Sequence, residues 1–259
     1  MPDRGGDPLL VAKGLTVRYG ALTALSDMSW QVGSGEILGI IGPNGAGKSS
    51  CFAAVTHAVH RQGDVWLAGE KVTDLATYKL ARRGLRRTFQ QNAFFGELTL
   101  LENAMAAMLR EHSTSLPRSI ALPWREMAAR HRAEKAAAEL LSSFGIARQD
   151  HGKRPGDIAY GTQRLLSVVL AYGAGARALL IDEPAAGTGG TDMKRLADLL
   201  VDLRRRGVAV VVIEHHMDLI MAVADRIVVI DQGRKLAEGT PADIQRNEAV
   251  LEAYLGRAA

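Results

Sequence analysis

Residues 42–49 have the spacing G-x-x-x-x-G-K-S, a pattern whose residue types suit the binding of phosphate groups. Glycines permit a tight turn, so backbone N–H groups can approach phosphate oxygens closely. The Lys48 ammonium group can bind the β and γ phosphates, and the Ser49 hydroxyl is a ligand for Mg²⁺. The pattern therefore predicts that a nucleoside triphosphate binds here with Mg²⁺. The predicted nucleotide-binding residues are Gly42, Pro43, Asn44, Gly45, Ala46, Gly47, Lys48, Ser49 and Ser50.

A second group of chemically active residues follows the apolar run at 178–181, which ends in Asp182 and Glu183. If this run is a strand, the two carboxylates point to opposite faces and can have different tasks. Asp182 would hold the water shell of Mg²⁺, and Glu183 would orient the water that attacks the γ-phosphate. Together with residues 42–49, the acidic pair predicts hydrolysis of the bound nucleotide.

The hydrophobic pattern predicts the elements that position these residues. Residues 37–41 form an apolar run of strand length directly before the glycine-rich segment, and residues 49–58 after it read as a helix. Further apolar runs at 178–181 and 208–213 are typical of strands inside a parallel sheet. Strands that alternate with helices predict an α/β fold with a mainly parallel sheet and crossover helices.

The middle of the chain has a different composition. From about residue 92 to residue 157, β-branched residues are few, and alanine, leucine, arginine and glutamate are common. The clearest helix is predicted over residues 124–144, with apolar residues on or near one face. We expect a mainly helical subdomain inserted into the α/β core.

Composition limits the class of protein. The chain has 259 residues, 47% of them hydrophobic, so it can bury a substantial core. No apolar run approaches the ~20 residues of a membrane helix, and the N-terminus shows no secretory signal. The single cysteine, Cys51, excludes an internal disulfide, fits a reducing cytosol and is expected to be a small buried residue on its helix.

The net charge of +4 comes from 32 basic and 28 acidic residues, and part of the excess lies in Arg82, Arg83, Arg86 and Arg87. We interpret these arginines as a solvated face. Because no aromatic residues are interleaved with them, stacking on nucleic-acid bases is not indicated. No nucleic-acid partner is predicted.

The order of these motifs resembles the ATPase subunits of ABC transporters, over about residues 10–256. Tyr19 stands where that family places an aromatic ring against adenine. Thr88-Phe89-Gln90 resembles the Q-loop, whose glutamine senses the metal and contacts the membrane subunit. Glu214-His215 resembles the H-loop, whose histidine contacts the γ-phosphate. Residues 186–189 match the D-loop. The signature sequence, which acts on the ATP of a partner subunit, matches Ala159, Tyr160, Gly161, Thr162 and Gln163.

The resemblance implies a P-loop NTPase fold, which is an ABC ATPase core with a mainly parallel sheet, an N-terminal antiparallel β part and an inserted helical subdomain. It implies one cassette over residues 8–256, with the helical subdomain over 92–165 and a flexible N-terminus over 1–7. The cofactors would be ATP and Mg²⁺. The implied catalytic residues are Lys48, Glu183 and His215. Tyr19 and Gln90 are added to the predicted nucleotide-binding residues. The implied metal ligands are Ser49, Gln90 and, through water, Asp182.

Several segments narrow the resemblance to ATPases of branched-chain amino acid importers: residues 87–90, 95–103, 159–161, 183–187 and 254–256. The implied function is ATP binding and hydrolysis that energises uptake of branched-chain or related small amino acids. A urea or amide importer stays open, because those ATPases share much of the pattern. A soluble, non-transport ABC ATPase is less favoured, because such proteins usually carry two cassettes or a long coiled-coil insertion.

The implied partners are a second ATPase subunit, integral membrane permease subunits and a periplasmic or extracellular substrate-binding protein. The chain would then be cytoplasmic and peripheral on the inner face of the plasma membrane. A P-loop kinase or GTPase is not favoured, because the chain has no guanine-reading Asn-Lys-x-Asp sequence and carries the Q-loop, signature and H-loop set.

The sequence departs from the family pattern on the signature side. Thr162 replaces the usual glutamine, Gly189 replaces an acidic or amide residue of the D-loop, and His216 stands where aspartate often follows. The helix after the signature is unusually apolar, with Val169 and Leu170. Because the glycine loop and acidic pair are intact, we expect an asymmetric pair with a different ATPase subunit. The site that uses this chain's Lys48 and Glu183 would hydrolyse ATP faster.

Overall fold

The computed structural model describes residues 7–88, 94–108 and 123–255. Its N-terminal part contains an antiparallel sheet with the strand order β2-β1-β4-β5. Residues of β1 alternate between buried and more exposed positions, as expected for strands with one face on a core. The strands are β1 Leu10–Tyr19, β2 Leu22–Val32, β4 Gln62–Leu67 and β5 Glu70–Lys71.

The second sheet has the order β10-β9-β3-β8-β7-β6. The pairs among β9, β3, β8, β7 and β6 are parallel, whereas β10 pairs antiparallel with β9. Every residue of β3, β7 and β8 is buried, which explains their continuous apolar sequences. The strands are β3 Ile37–Ile41, β6 Leu85–Arg87, β7 Ala178–Asp182, β8 Ala209–Ile213, β9 Arg226–Asp231 and β10 Arg234–Gly239.

The helices of the described ranges connect these strands or lie in the middle of the chain. They are α1 Lys48–Val55, α2 Thr77–Arg82, α3 Leu100–Met108, α4 Pro123–Ser143, α5 Tyr160–Gly173, α6 Gly190–Arg205, α7 Met217–Val223, α8 Pro241–Gln245 and α9 Glu248–Leu255. Helix α4 fits the helix predicted over residues 124–144. Helix α5 begins inside the predicted helical region and continues past residue 165 to Gly173. None of the described helices combines the length and apolar character that crossing a membrane requires.

The parallel sheet has a buried cluster on each face, because successive side chains of a strand point to opposite sides. On one face, Leu38 and Ile40 of β3 pack with Phe52 of α1 and with the antiparallel sheet. On the other face, Ile37 and Ile41 pack with a cluster that includes residues of α3 to α7. Helix α1 therefore lies between the two sheets, which fixes the loop that precedes it.

Cys51 lies in the cluster between the sheets and is fully buried. The indole Nε1 of Trp30 donates a hydrogen bond to its Sγ at 3.1 Å. Burial raises the pKa of the Cys51 thiol to about 12, so the side chain stays protonated near neutral pH. The predicted role as a small buried residue on this helix is confirmed.

Candidate nucleotide-binding site

The glycine-rich segment forms the loop between the end of β3 and the start of α1. Gly42 has φ 154° and Gly47 has φ 104°, both in the region that favours glycine. A Cβ at Gly42 would lie 2.0 Å from the Ile230 carbonyl oxygen, and one at Gly47 would lie 2.5 Å from the Ala24 carbonyl oxygen. Only glycine fits both positions, because the loop is pressed against β9 and β2.

Backbone hydrogen bonds and a C-terminal side chain also hold this loop. The Gly233 N–H donates to the Ala46 carbonyl at 2.9 Å, and the Ser26 N–H donates to the Gly233 carbonyl at 2.9 Å. The backbone of Gly42 hydrogen-bonds the hydroxyl of Tyr254 in α9, whose pKa burial raises. Both sheets and the last described helix thus position the loop.

The loop presents its central residues to solvent. Asn44, Gly45 and Ser49 are exposed, Pro43, Gly47 and Ser50 are half-buried, and Gly42, Ala46 and Lys48 are buried. The backbone of the loop precedes the N-terminus of α1, where the helix dipole favours an anion. The exposed and half-buried residues of the loop therefore form one accessible surface at the end of β3.

Lys48 is the first residue of α1 and folds back over the loop. Its Nζ donates to the Gly42 carbonyl at 2.7 Å and to the Pro43 carbonyl at 3.0 Å. Burial lowers the pKa of Lys48, and the nearby carboxylates of Glu183 and Asp182 partly offset this effect. An ammonium group has three N–H donors, so one more can reach a phosphate oxygen while two hold the loop.

Asp182 is the last residue of β7, and its side chain is 7% exposed. Its Oδ2 accepts a hydrogen bond from Arg87 Nη2 at 2.7 Å, which forms a nearly buried ion pair. The Asp182 N–H lies 3.4 Å from the Thr88 hydroxyl oxygen. The structure thus places the carboxylate that was predicted to hold the metal beside the chain that enters the predicted Q-loop.

The interpretation of Arg87 as part of a solvated face is wrong. Its side chain is only 17% exposed, and its partner Asp182 is 95 residues away in sequence. Arg86 is half-buried and donates to the Ala174 carbonyl at 2.6 Å. Arg82 and Arg83 are exposed as expected. The two arginines on β6 are therefore packed against the protein, and the two that precede the strand are exposed.

Glu183 lies just after β7 and not on the strand, so the alternation argument does not apply to it. Its backbone has φ 45°, a left-handed conformation that is uncommon for a residue with a side chain. The Glu183 N–H donates to the Ile213 carbonyl at 2.9 Å. A turn held by β8, and not the pleat of β7, sets the direction of this carboxylate.

Glu214 follows β8 and is fully buried. Its Oε1 accepts the Ala185 N–H at 2.6 Å, and its Oε2 accepts the N–H groups of His215 at 2.9 Å and His216 at 3.1 Å. Sequence reasoning named Glu214 only as the neighbour of His215. Its position directly after a valine-rich strand could have indicated the anchoring role, because a buried carboxylate needs hydrogen-bond donors nearby.

His215 reaches solvent from this anchored loop. Its side chain is 48% exposed, and its Nδ1 lies 3.6 Å from Glu214 Oε2. The ligand atoms of Glu214, His215 and His216 lie within 4.8 Å of one another, a grouping that can hold a metal ion. However, Oε2 already accepts two backbone N–H groups, which use both of its lone pairs. The carboxylate therefore positions the loop backbone and is poorly placed to bind a metal.

The other predicted contact residues lie on separate elements. Tyr19 is the last residue of β1 and is 49% exposed, at the end of an inner strand of the antiparallel sheet. Gln90 lies outside the described residues, so its predicted contacts with nucleotide and metal stay predictions. Thr88, two residues earlier, is buried, and its N–H donates to the Leu180 carbonyl at 2.9 Å.

The signature segment forms the start of α5 and packs on residues 187–195. The Tyr160 ring lies over Gly187, and a Cβ at Gly161 would lie 2.1 Å from Asp192 Oδ2. Thr162 Oγ1 accepts a hydrogen bond from Arg195 Nη1 at 3.4 Å. These contacts join the predicted signature to the predicted D-loop and the first turns of α6. The remaining two signature residues are Ala159, the N-cap of α5, and Gln163, whose Nε2 donates to the Ile158 carbonyl at 3.2 Å.

A cleft of about 240 Å³ opens between the end of β6 and the helices of the middle region. Arg87 and Thr88 line it at β6, and Leu170 lines it from α5. Part of the unusually apolar stretch after the signature thus faces this cleft, whereas Val169 is fully buried in the core. Arg87 both lines the cleft and pairs with the Asp182 carboxylate.

The chain matches two family models and has nearly full-length relatives. A model described as "ABC transporter" matches residues 25–186, and one described as "Branched-chain amino acid ATP-binding cassette transporter" matches residues 234–259. The high-affinity branched-chain amino acid transport ATP-binding protein BraF of Pseudomonas aeruginosa is 36% identical over 253 residues, which are 97% of this chain and 99% of that protein. The corresponding LivG protein of Salmonella typhimurium is 36% identical over 254 residues, with the same coverage.

The fold is similar to a solved structure of an ATP-binding cassette of an ABC transporter, MJ1267 in its ADP conformation. The TM-score is 0.81 at 24% identity, over 97% of this chain and all of that one. The predicted fold class, with a mainly parallel sheet, an antiparallel β part and inserted helices, is confirmed.

Proposed function

Because the chain belongs to the ABC transporter family as an ATP-binding protein, we propose that it binds and hydrolyses Mg·ATP to energise uptake of branched-chain or related small amino acids. One observation carries this proposal: the Lys48 ammonium group, which binds the carbonyls of the glycine-rich loop, is close enough to the carboxylates of Glu183 and Asp182 for them to raise its pKa. The names of the relatives support branched-chain amino acids over the urea or amide alternative. The resemblance to this family, inferred from the motifs, is confirmed.

The residues fit a nucleotide with magnesium. The Ser49 hydroxyl and the Asp182 carboxylate are oxygen donors, the kind that Mg²⁺ prefers; Ser49 lies in the first turn of α1, and Asp182 is the last residue of β7. Magnesium supplies charge neutralisation at the β and γ phosphates when it is bound. We assign Gln90 as a further ligand on the resemblance alone.

The chain's own residues would act as follows. Backbone N–H groups of residues 44–50 and the Lys48 ammonium group bind the phosphates, and Tyr19 stacks on adenine. Glu183, turned away from β7 by its left-handed backbone, orients the attacking water. His215 reaches the γ-phosphate from the loop that Glu214 anchors. Each of these assignments is a proposal that the geometry supports.

We propose that the chain works as one of two ATPase subunits beneath membrane permease subunits, at the inner face of the plasma membrane, with a substrate-binding protein on the other side. We assign the path across the membrane to those permease subunits. The cleft between β6, α3 and α5 is the surface we assign to the permease. When two ATPase subunits close around ATP, the movement would be transmitted to the permease through this cleft.

We also propose that the partner ATPase is a different chain. The Asp192 carboxylate lies against Gly161, where a partner's γ-phosphate would approach the signature. Asp192 pairs with Arg195 at 3.4 Å, and the same guanidinium donates to the altered signature residue Thr162, so these side chains are engaged within this chain. We therefore expect the site formed by this chain's signature to be the slower one. Equal loss of ATPase activity from Glu183→Gln and from the equivalent change in the partner would contradict this asymmetry.

The test is to purify the chain with the membrane and binding proteins that accompany it in mild detergent, and then to measure ligand binding to the binding protein. We expect branched-chain or related small amino acids to bind and to stimulate ATP hydrolysis by the reconstituted complex. Lys48→Ala should remove both ATP binding and uptake. Co-purification with ribosomal RNA and no membrane protein would instead indicate a non-transport ABC ATPase.

A further inference from the structure

Arg87 forms an ion pair with the carboxylate that we assign to the magnesium water shell. Its Nη2 lies 2.7 Å from Asp182 Oδ2, and the two side chains are 17% and 7% exposed. The guanidinium also lies 5.6 Å from the ring centroid of Phe52, in the helix that follows the glycine loop. Arg87 is thus held between β7 and α1, beside Asp182.

Two cations cannot both use this carboxylate fully. A charge-assisted hydrogen bond at 2.7 Å, shielded from water, is among the stronger interactions of a protein interior. A magnesium ion approaching Asp182 would bring a double positive charge close to the guanidinium, and repulsion between like charges is strong where water is scarce. The bond to Asp182 must therefore weaken as the metal is bound.

We propose that Arg87 is a positioning residue, which neutralises Asp182 while the site is empty and is displaced from it when Mg²⁺ arrives with nucleotide. The inference rests on the proposed function, because it needs Asp182 to serve the metal. Arg87 keeps its charge, so it relieves the repulsion from the metal by moving away from Asp182 Oδ2 and not by losing a proton.

The displaced side chain links the metal to the cleft assigned to the permease. Arg87 is the last residue of β6 and lines that cleft together with Thr88. Thr88 is bonded to β7 through its own N–H and lies next to the Asp182 backbone. Movement of the guanidinium therefore changes the charge on the cleft wall when the metal binds.

The chain offers a matched control one residue away. Arg86 has the same charge and lies on the same strand, but its guanidinium donates to the Ala174 carbonyl at 2.6 Å. Its side chain points to the other face of the strand. Arg86→Gln removes one positive charge close to the site without removing the bond to Asp182.

The experiment measures the affinity for a fluorescent ATP analogue as a function of Mg²⁺ concentration, with the full chain and its Arg87→Gln and Arg86→Gln variants. We expect Arg87→Gln to lower the Mg²⁺ midpoint roughly tenfold, the effect of losing one competing interaction of ordinary strength. Arg86→Gln should leave the midpoint near that of the wild type. Mg²⁺ without nucleotide should also raise the melting temperature of Arg87→Gln more than that of the wild type.

A second variant covers the case in which Arg87→Gln does not fold. Arg87→Lys keeps a cation but loses the planar guanidinium, and it should lower the midpoint about threefold. An unchanged or higher midpoint in the Arg87 variants, with Mg·ATP still bound by the wild type, would overturn the inference. Failure of the wild type to bind Mg·ATP would instead overturn the proposed function.

Discussion

Glu214 shows how one buried side chain can shape a site without contacting the substrate. Its two oxygens accept three backbone N–H groups, from Ala185 on one side and from His215 and His216 on the other. The carboxylate therefore ties the segment that follows Glu183 to the loop that carries His215. Both residues that we assign to the γ-phosphate side depend on the same anchor.

We expect Glu214→Gln to lower kcat for ATP hydrolysis by roughly 10- to 100-fold, because an amide cannot accept all three N–H groups and hydrogen bonds to charged groups contribute about 1.5–3 kcal/mol. The KM for ATP should change much less, since the glycine loop is untouched. Steady-state kinetics of the complex would measure both constants. Glu70→Gln, on the surface, is the control and should change neither constant. A 10- to 100-fold rise in KM for Glu214→Gln with an unchanged kcat would contradict the anchoring role.

Cys51 gives the fold a pH dependence. The unfolded thiol ionises around its ordinary pKa of 9.0, whereas the folded thiol ionises only around 12. The unfolded state therefore loses its proton first, and stability that is complete below pH 9 is lost as the pH rises from 9 toward 12. At pH 10 the loss should be about 1.4 kcal/mol.

Urea unfolding at pH 8 and pH 10 would measure this loss. Cys51→Ala removes the titrating group, so its free energy of unfolding should fall less between the two pH values than that of the wild type. Its stability should be lower at both, because a cavity forms beside Trp30. Identical pH dependence in the two proteins would contradict the assignment to Cys51.

At the scale of elements, apolar runs predicted the strands and helices that hold the glycine loop, since runs such as 37–41 lie wholly inside the protein. The same reasoning could not find contacts between residues that are far apart in the sequence. Arg87 meets Asp182 over 95 residues, and Glu214 meets Ala185 over 29. Local pattern carries no information about such partners. The direction of the Glu183 side chain could not be predicted either, because it depends on a turn that a hydrogen bond to β8 holds.

The glycine loop itself can be tested as an element. Gly47→Ala should lower the free energy of unfolding by about 3 kcal/mol or more, because it combines a left-handed backbone with a clash at the Ala24 carbonyl. Gly69→Ala is the matched control: it has φ 79° but nothing within 4 Å of the added Cβ. It should cost only about 1–2 kcal/mol. Urea titration would measure the free energy of unfolding of both variants. Equal decreases would show that the loop does not press on β2.

At the scale of the whole molecule, both sheets and the C-terminal helix converge on one loop. Strand β3 delivers it, β2 and β9 confine it, and Tyr254 of α9 reaches Gly42. The helices of the middle region lie on the opposite face of the parallel sheet from the antiparallel sheet. Their cleft meets the site at Arg87. The proposed metal-binding carboxylate and the surface assigned to the permease therefore lie on either side of Arg87.

The most direct test is Mg²⁺-dependent ATP binding and hydrolysis by the complex of this chain with its partners, compared between the wild type and Glu183→Gln. We predict that the variant still binds Mg·ATP, because the loop, Lys48 and Asp182 are intact, while hydrolysis at its site falls at least about 100-fold. Unchanged hydrolysis in the variant would contradict the role of Glu183. A wild-type complex that binds no Mg·ATP would contradict the account as a whole.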